Sequence, residues 1–285
     1  MSSPLISVSA LQNWVATGHP FVLFDTSFDL MDPNKGPHGY AEVHIAGARY
    51  ANLNEVLSAH NAEEAVNGGR HPLPRREIFA DWLGSQGVRN DTEVVVYDRN
   101  GVNYAGRLWW MLRWCGHRNV RVLDGGLQAW IAAGGATASG AAPAAVPVSY
   151  QLQAPLADLR LTADVAADLG RPNQTILDAR ATPRFKGEVE PMDPVAGHIP
   201  GALNRPFATN IGPDGLFKPA AQLREEFEAL LGGRDPATVV HHCGSGVSAV
   251  PNILAMEVAG LGHTALYAGS WSEWCNTPGL PCAKG

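Results

Sequence analysis

Short, mostly apolar runs recur along the chain between polar or glycine-rich turns: Val94-Val95-Val96-Tyr97, Val120-Arg121-Val122-Leu123, Val239-Val240 and Ala265-Leu266-Tyr267. Runs of this length suit strands covered on both faces. Between them lie helix-length segments whose apolar residues return every three or four positions, such as AGRLWWMLRWCG and PAAQLREEFEALLGG. Strands alternating with helices need crossover connections. The pattern therefore predicts an α/β fold with a mainly parallel sheet covered by helices on both faces.

The pattern also occurs twice. FVLFDTS around Asp25, HIAGARY from His44, EVVVYDRNGV from Glu93 and RVLDGGLQAW ending at Trp130 come first. They are answered in the same order by TILDARA around Asp178, HIPGALN from His198, TVVHHCGSGV from Thr238 and ALYAGSWSEW ending at Trp274. Duplication of one domain is the simplest source of such order. The stretch from 136 to 157 is rich in Ala, Gly and Pro and reads as an extended linker. The expected division is thus a first domain over 1–135, a linker, and a second domain over 158–285.

Composition narrows the function classes. The 285 residues are 45% hydrophobic and 17% charged, with no apolar run near the roughly 18 residues of a membrane span. A net charge of -6 with the 21 Lys and Arg dispersed gives no basic stripe for nucleic acid. MSSPLISVSALQNW lacks the basic start and apolar stretch of a signal peptide, so the expected location is cytoplasmic. Four cysteines, Cys115, Cys243, Cys275 and Cys282, are too few and too irregular for a disulfide framework or a zinc knuckle. Cys115 falls in an amphipathic helix with Trp109, Trp110, Leu112 and Trp114 and reads as core. Cys275 and Cys282 read as incidental, although oxidation could pair them.

Cys243 differs because of the glycines just after it. In HHCGSGVS the thiol ends a strand, Gly244 and Gly246 permit a tight turn, and a helix begins near Ser248 or Ala249. Successive amides pointing into such a turn, with the helix dipole behind them, favour a thiolate and make it a nucleophile, expected to be open to solvent. Two other uses of a glycine-rich turn fit poorly. GSGVSA resembles a dinucleotide fingerprint, but the next strand ends in Ala268-Gly269 without the acidic residue a ribose needs. A Cys-x5-Arg phosphatase needs an arginine where the chain has Ala249.

These residues resemble the two-domain rhodanese-like sulfurtransferases, and within them the 3-mercaptopyruvate sulfurtransferases, from LFDTS to GSWSEW. CGSGV is the most specific piece, since thiosulfate enzymes usually carry Arg and Lys after the cysteine. The resemblance implies two tandem α/β domains, with the catalytic cysteine in the second. Alignment of Val94 with Val239 and Gly101 with Gly246 sets Asp98 in the place of Cys243. The first domain is then expected to be catalytically silent and to wall one side of a cleft.

The resemblance further implies that Cys243 takes sulfur from a small-molecule donor, 3-mercaptopyruvate, as a persulfide and releases pyruvate. The sulfur then passes to an acceptor thiol such as reduced thioredoxin, or to cyanide, with no metal or organic cofactor, no nucleic acid and no membrane. A thiosulfate sulfurtransferase, or a non-catalytic sulfur-carrier or redox module, is the alternative. Ser245 and His71, in GGRHPLP, match the residues that move protons. Arg184 matches the carboxylate-binding arginine, and Arg180 is a second candidate, open to a structural role beside Asp178. The loop residues Gly244, Gly246, Val247 and Ser248 are expected to line the substrate position. Two positions depart from the family pattern: Asn54 stands where an aspartate backs the histidine, and Met192-Asp193 stand where a second arginine is expected.

Overall fold

A computed structural model describes residues 3–142 and 144–285. The chain forms two compact units. One comprises the chain up to His60 with Pro74–Leu156 and Pro213–Phe217, and the other comprises Asn61–Leu73, Ala157–Gly212 and Lys218–Gly285. The segment carrying His71 therefore packs with the second unit.

Each unit is built on a five-stranded parallel sheet. In the first the spatial order is Leu5–Ile6, Val120–Leu123, Val94–Tyr97, Val22–Asp25, Arg49–Tyr50. In the second it is Asp158–Arg160, Ala265–Tyr267, Val239–His242, Thr175–Asp178, Leu203–Asn204. Both sheets run first, fifth, fourth, second, third in chain order, so the sequence repeat is a repeat of topology. Every residue of the middle strands Val94–Tyr97 and Val239–His242 is buried, which is why these runs carry no alternation of apolar and polar positions.

The predicted helices come after these strands as Ala105–Trp114 and Val250–Val258, with Ala220–Leu231 between the third and fourth strands of the second unit. One core cluster joins Ile6, Leu23, Val95, Leu123 and Trp130, and another joins Val165, Ile176, Val240, Trp271 and Trp274. Cys115 is fully buried beside Trp109 and Trp110 in the first unit, and burial pushes its thiol up to about 12.

Most of the stretch expected to be a linker belongs to the first unit. Thr137–Ala138 pairs antiparallel with His44–Ile45. Farther on, Val148 N–H donates to the Gly84 carbonyl at 2.9 Å and Gln153 N–H to the Cys115 carbonyl at 3.2 Å. The segment is held to the first unit through these backbone contacts and through Tyr150, which is buried. Among the described residues no helix is long and apolar enough to cross a membrane.

Candidate active site

Strand register fixes the equivalence of the two chemistry-bearing loops. Asp25 pairs with Tyr97 and Asp178 pairs with His242, so the next residues, Asp98 and Cys243, leave their sheets at matching points. Both sit beyond the carboxyl end of a strand, where open α/β sheets receive ligands. Gly101 and Gly246 repeat a left-handed turn at φ 68 and 75°. Leu127 N–H donates to the Asp98 carbonyl at 3.1 Å, and Trp271 N–H donates to the Cys243 carbonyl at 3.0 Å. Gly246 is required twice over, because a Cβ there would lie 2.3 Å from the Ala268 carbonyl oxygen.

The loop of the first unit displays what this backbone holds. Asp98 Oδ1 accepts the N–H groups of Asn100 and Val102 at 2.9 and 3.0 Å, and Oδ2 those of Tyr104 and Ala105 at 2.8 and 2.9 Å. Burial raises this carboxyl and the four amide donors oppose the rise. An anion at the strand end is thus met by four converging backbone donors, a nest in the physical sense.

In the second unit Cys243 stands at that position and is 2% exposed. The expectation of a sulfur open to solvent is corrected: the loop is covered. Its N–H donates to Ser270 Oγ at 3.1 Å, and Ser272 N–H donates to the Gly244 carbonyl at 2.9 Å. Covering residues come from the 61–73 segment. His71 Nδ1 lies 2.8 Å from Ser245 Oγ, both residues being buried, and Arg70 N–H donates to Ser272 Oγ at 3.1 Å. A Cβ on Gly244 would lie 2.9 Å from Arg70 Nη2 and 3.6 Å from Arg184 Nη1, so two guanidiniums flank the loop. Val247 is buried and Ser248 half-buried in the turn into the helix.

The two guanidiniums meet one carboxylate. Asp193 Oδ1 is ion-paired to Arg70 Nη1, and its Oδ2 lies 3.5 Å from Arg184 Nη2, which also donates to Glu190 Oε1 at 2.6 Å. Burial raises the Asp193 carboxyl above the usual range, opposed chiefly by Arg70.

Arg180 is corrected from a substrate-binding candidate to a core residue. Its side chain is 2% exposed, with Nε and Nη2 on Asp178, Nη2 also on the Gly197 carbonyl at 2.7 Å and Nη1 3.4 Å from Glu190. It packs 4.8 Å over the Trp271 ring. With its fork so committed it has no face for a substrate. Against the upward push of burial, His242 and Arg180 hold Asp178 below the usual carboxylate range. Asn54 lies in the first unit, exposed, with its N–H on Asn52 Oδ1. Cys275 is half-buried and Cys282 exposed, both as free thiols.

Sequence reasoning missed Arg70 and Glu190. Arg70 adjoins His71, but only the fold brings it to a loop more than 170 positions away in the chain. Glu190 sits among several carboxylates in a polar segment, and nothing in the spacing singles it out.

A family model described as rhodanese-like domain matches residues 7–133 and 161–277. The chain belongs to the rhodanese-like domain family. A Pseudomonas aeruginosa protein named "Probable 3-mercaptopyruvate sulfurtransferase" is 47% identical over 265 residues, 93% of this chain and 92% of that one. The thiosulfate sulfurtransferase of Gallus gallus is 36% identical over 256 residues, 88% of this chain and 85% of that one. A crystal structure from Escherichia coli, described as a 3-mercaptopyruvate sulfotransferase, superposes with a TM-score of 0.77 at 29% identity. It covers 95% of this chain and 100% of that one. The rhodanese-like domain thus occurs twice here, and the twin loops are equivalent places in the two copies.

Proposed function

We propose that this protein, a sulfurtransferase of the mercaptopyruvate and rhodanese kind, moves sulfur from 3-mercaptopyruvate to a thiol through Cys243. In the first half-reaction the Cys243 thiolate attacks the donor sulfur, an S–S bond forms, and the donor C–S bond breaks with its electron pair passing to carbon. The pyruvate enolate takes the proton that the donor thiol carried, leaving pyruvate and an ionised Cys243 persulfide. The His71–Ser245 pair, 2.8 Å apart beside the loop, is the route for that proton. An acceptor thiolate then attacks the outer sulfur and Cys243 leaves as thiolate. Reduced thioredoxin or cyanide serves as acceptor by the same displacement.

One observation carries this reading: the four amides that hold the Asp98 carboxylate. The loop after Cys243 repeats that register and that left-handed glycine. On this reading the amides after Cys243 turn to a negative sulfur as those of the twin loop turn to a carboxylate, and supply the electrostatic stabilisation the persulfide anion needs. With Asp98 in that place, both oxygens held by backbone donors, the first unit offers no thiol there to carry sulfur.

The test is a donor panel. Wild-type protein releases pyruvate from 3-mercaptopyruvate with a thiol acceptor over many turnovers, and Cys243→Ser releases none. Undiminished turnover by Cys243→Ser refutes the proposal, and a persulfide that forms once without turnover favours a sulfur carrier. A second reading, thiosulfate as donor, draws support from the 36% identity to the thiosulfate sulfurtransferase of Gallus gallus. A higher kcat/KM for thiosulfate than for 3-mercaptopyruvate would select it.

A further inference from the structure

Arg70 and Arg184 flank Gly244 from two separate segments of the second unit, and a single buried carboxylate, Asp193, joins them. Among the described residues, the Nε atoms of both arginines are buried without a hydrogen-bond partner. Two guanidiniums bridged by a carboxylate beside a nucleophilic loop have the chemistry of an occupied acid-binding site. Here the acid is part of the chain.

We infer that Asp193 is an internal occupant of an anion site formed by Arg70 and Arg184, and that the carboxylate of the sulfur donor enters by displacing it. The inference rests on the proposed function for the identity of the donor. Charge requires a displacement. Arg70 and Arg184 are balanced by Asp193 and Glu190, and Arg180 by Asp178. A carboxylate added to that neutral set has no cation left to meet, whereas one that replaces Asp193 inherits both. Geometry permits the exchange. Asp193 lies in a stretch from Glu190 to Gly197 without helix or strand, so its withdrawal breaks no regular backbone ladder. The guanidiniums are the more exposed partners, 26 and 20% against 3% for Asp193. Arg70 thereby supplies a second cation at a site whose neighbouring segment offers an acid instead, and Asp193 sets how strongly a donor must compete for entry.

The experiment compares 3-mercaptopyruvate with mercaptoacetone, the same α-mercaptoketone without the carboxylate, in wild type, Asp193→Asn, Arg70→Gln and Arg70→Lys. Asp193→Asn lowers KM for 3-mercaptopyruvate by about three- to tenfold, and Arg70→Gln raises it about tenfold or more, the loss of one charge-assisted hydrogen bond. Arg70→Lys falls between wild type and Arg70→Gln. KM for mercaptoacetone moves less than twofold in all of them. A KM for 3-mercaptopyruvate that rises or stays level in Asp193→Asn, or that shifts equally for both donors in Arg70→Gln, overturns the inference. Calorimetric binding of pyruvate serves as the second readout. If wild type releases no pyruvate from 3-mercaptopyruvate, the proposed function fails. The anion site still stands if Asp193→Asn binds pyruvate more tightly, and it falls if binding is unchanged or weaker.

Discussion

Replacing Asp98 by Asn tests whether this loop geometry is an anion nest. The carboxylate accepts four backbone N–H groups, two on each oxygen. An amide retains one oxygen and presents an NH2 to the other pair of donors, which it cannot accept. Each buried donor left unpaired costs about 1–3 kcal/mol, so Asp98→Asn destabilises the first unit by about 2–6 kcal/mol. The loop lies in one of two compact units, so a probe local to that unit reads its contacts most directly. Hydrogen exchange measured by mass spectrometry on peptides spanning Val94–Tyr97 and Ala105–Trp114 reports the opening free energy there. Protection should fall by about thirtyfold or more, at 1.36 kcal/mol per factor of ten. Protection within threefold of wild type would mean the four contacts do not hold the loop, and the argument from Asp98 to Cys243 would fail with it.

Three further variants test the packing of the second unit. Gly246→Ala forces a Cβ to 2.3 Å from the Ala268 carbonyl oxygen at φ 75°; it should cost at least about 1–3 kcal/mol and reduce pyruvate release per folded molecule at least tenfold, checked by urea titration and steady-state assay. Arg180→Gln removes the charge that a buried Asp178 pairs with and should destabilise the second unit by about 3–5 kcal/mol, while the KM of the folded enzyme for 3-mercaptopyruvate changes little; a large KM shift without a stability loss would restore Arg180 as a substrate ligand. Burial lowers His241 to about 3. Below about pH 6.5 the unfolded chain binds a proton there that the native state refuses, so stability is full above that pH and falls as pH drops toward 3, by up to about 1.4 kcal/mol per unit. His241→Leu should flatten the acid limb of the urea midpoint against pH, and an unchanged slope would contradict the burial argument.

The parts of the fold set by local pattern were legible in the sequence. Val94–Tyr97 announced itself as an apolar run and Val239–His242 through its first two residues, Val239-Val240, and the paired strand ends Asp25 and Asp178 exposed the duplication. The equivalence of Asp98 and Cys243 came from aligning two glycines, Gly101 and Gly246, that share a left-handed turn. The two-residue strands Arg49–Tyr50 and Leu203–Asn204 end the repeated HIAGARY and HIPGALN segments, but nothing in them marked a strand, because so short a pairing is fixed by its neighbours. His71 came only through family resemblance, since a histidine in a polar loop carries no mark of the serine it meets. Arg180 and Arg184 looked alike on the page. Their roles separate only in three dimensions, where Arg180 turns inward onto Asp178 and Arg184 remains partly exposed. Arg70 and the burial of Cys243 share one origin, the 61–73 segment packing with the second unit, and long-range packing of a loop leaves no local periodicity to read.

The central claim is that Cys243 itself carries the transferred sulfur. Mixing the protein with one equivalent of 3-mercaptopyruvate in the absence of acceptor, and then mapping peptides by mass, tests it directly. The account predicts one pyruvate released per chain and one additional sulfur atom on the peptide containing Cys243. Pyruvate released with that peptide unmodified, or sulfur found on Cys275 or Cys282 instead, would contradict it.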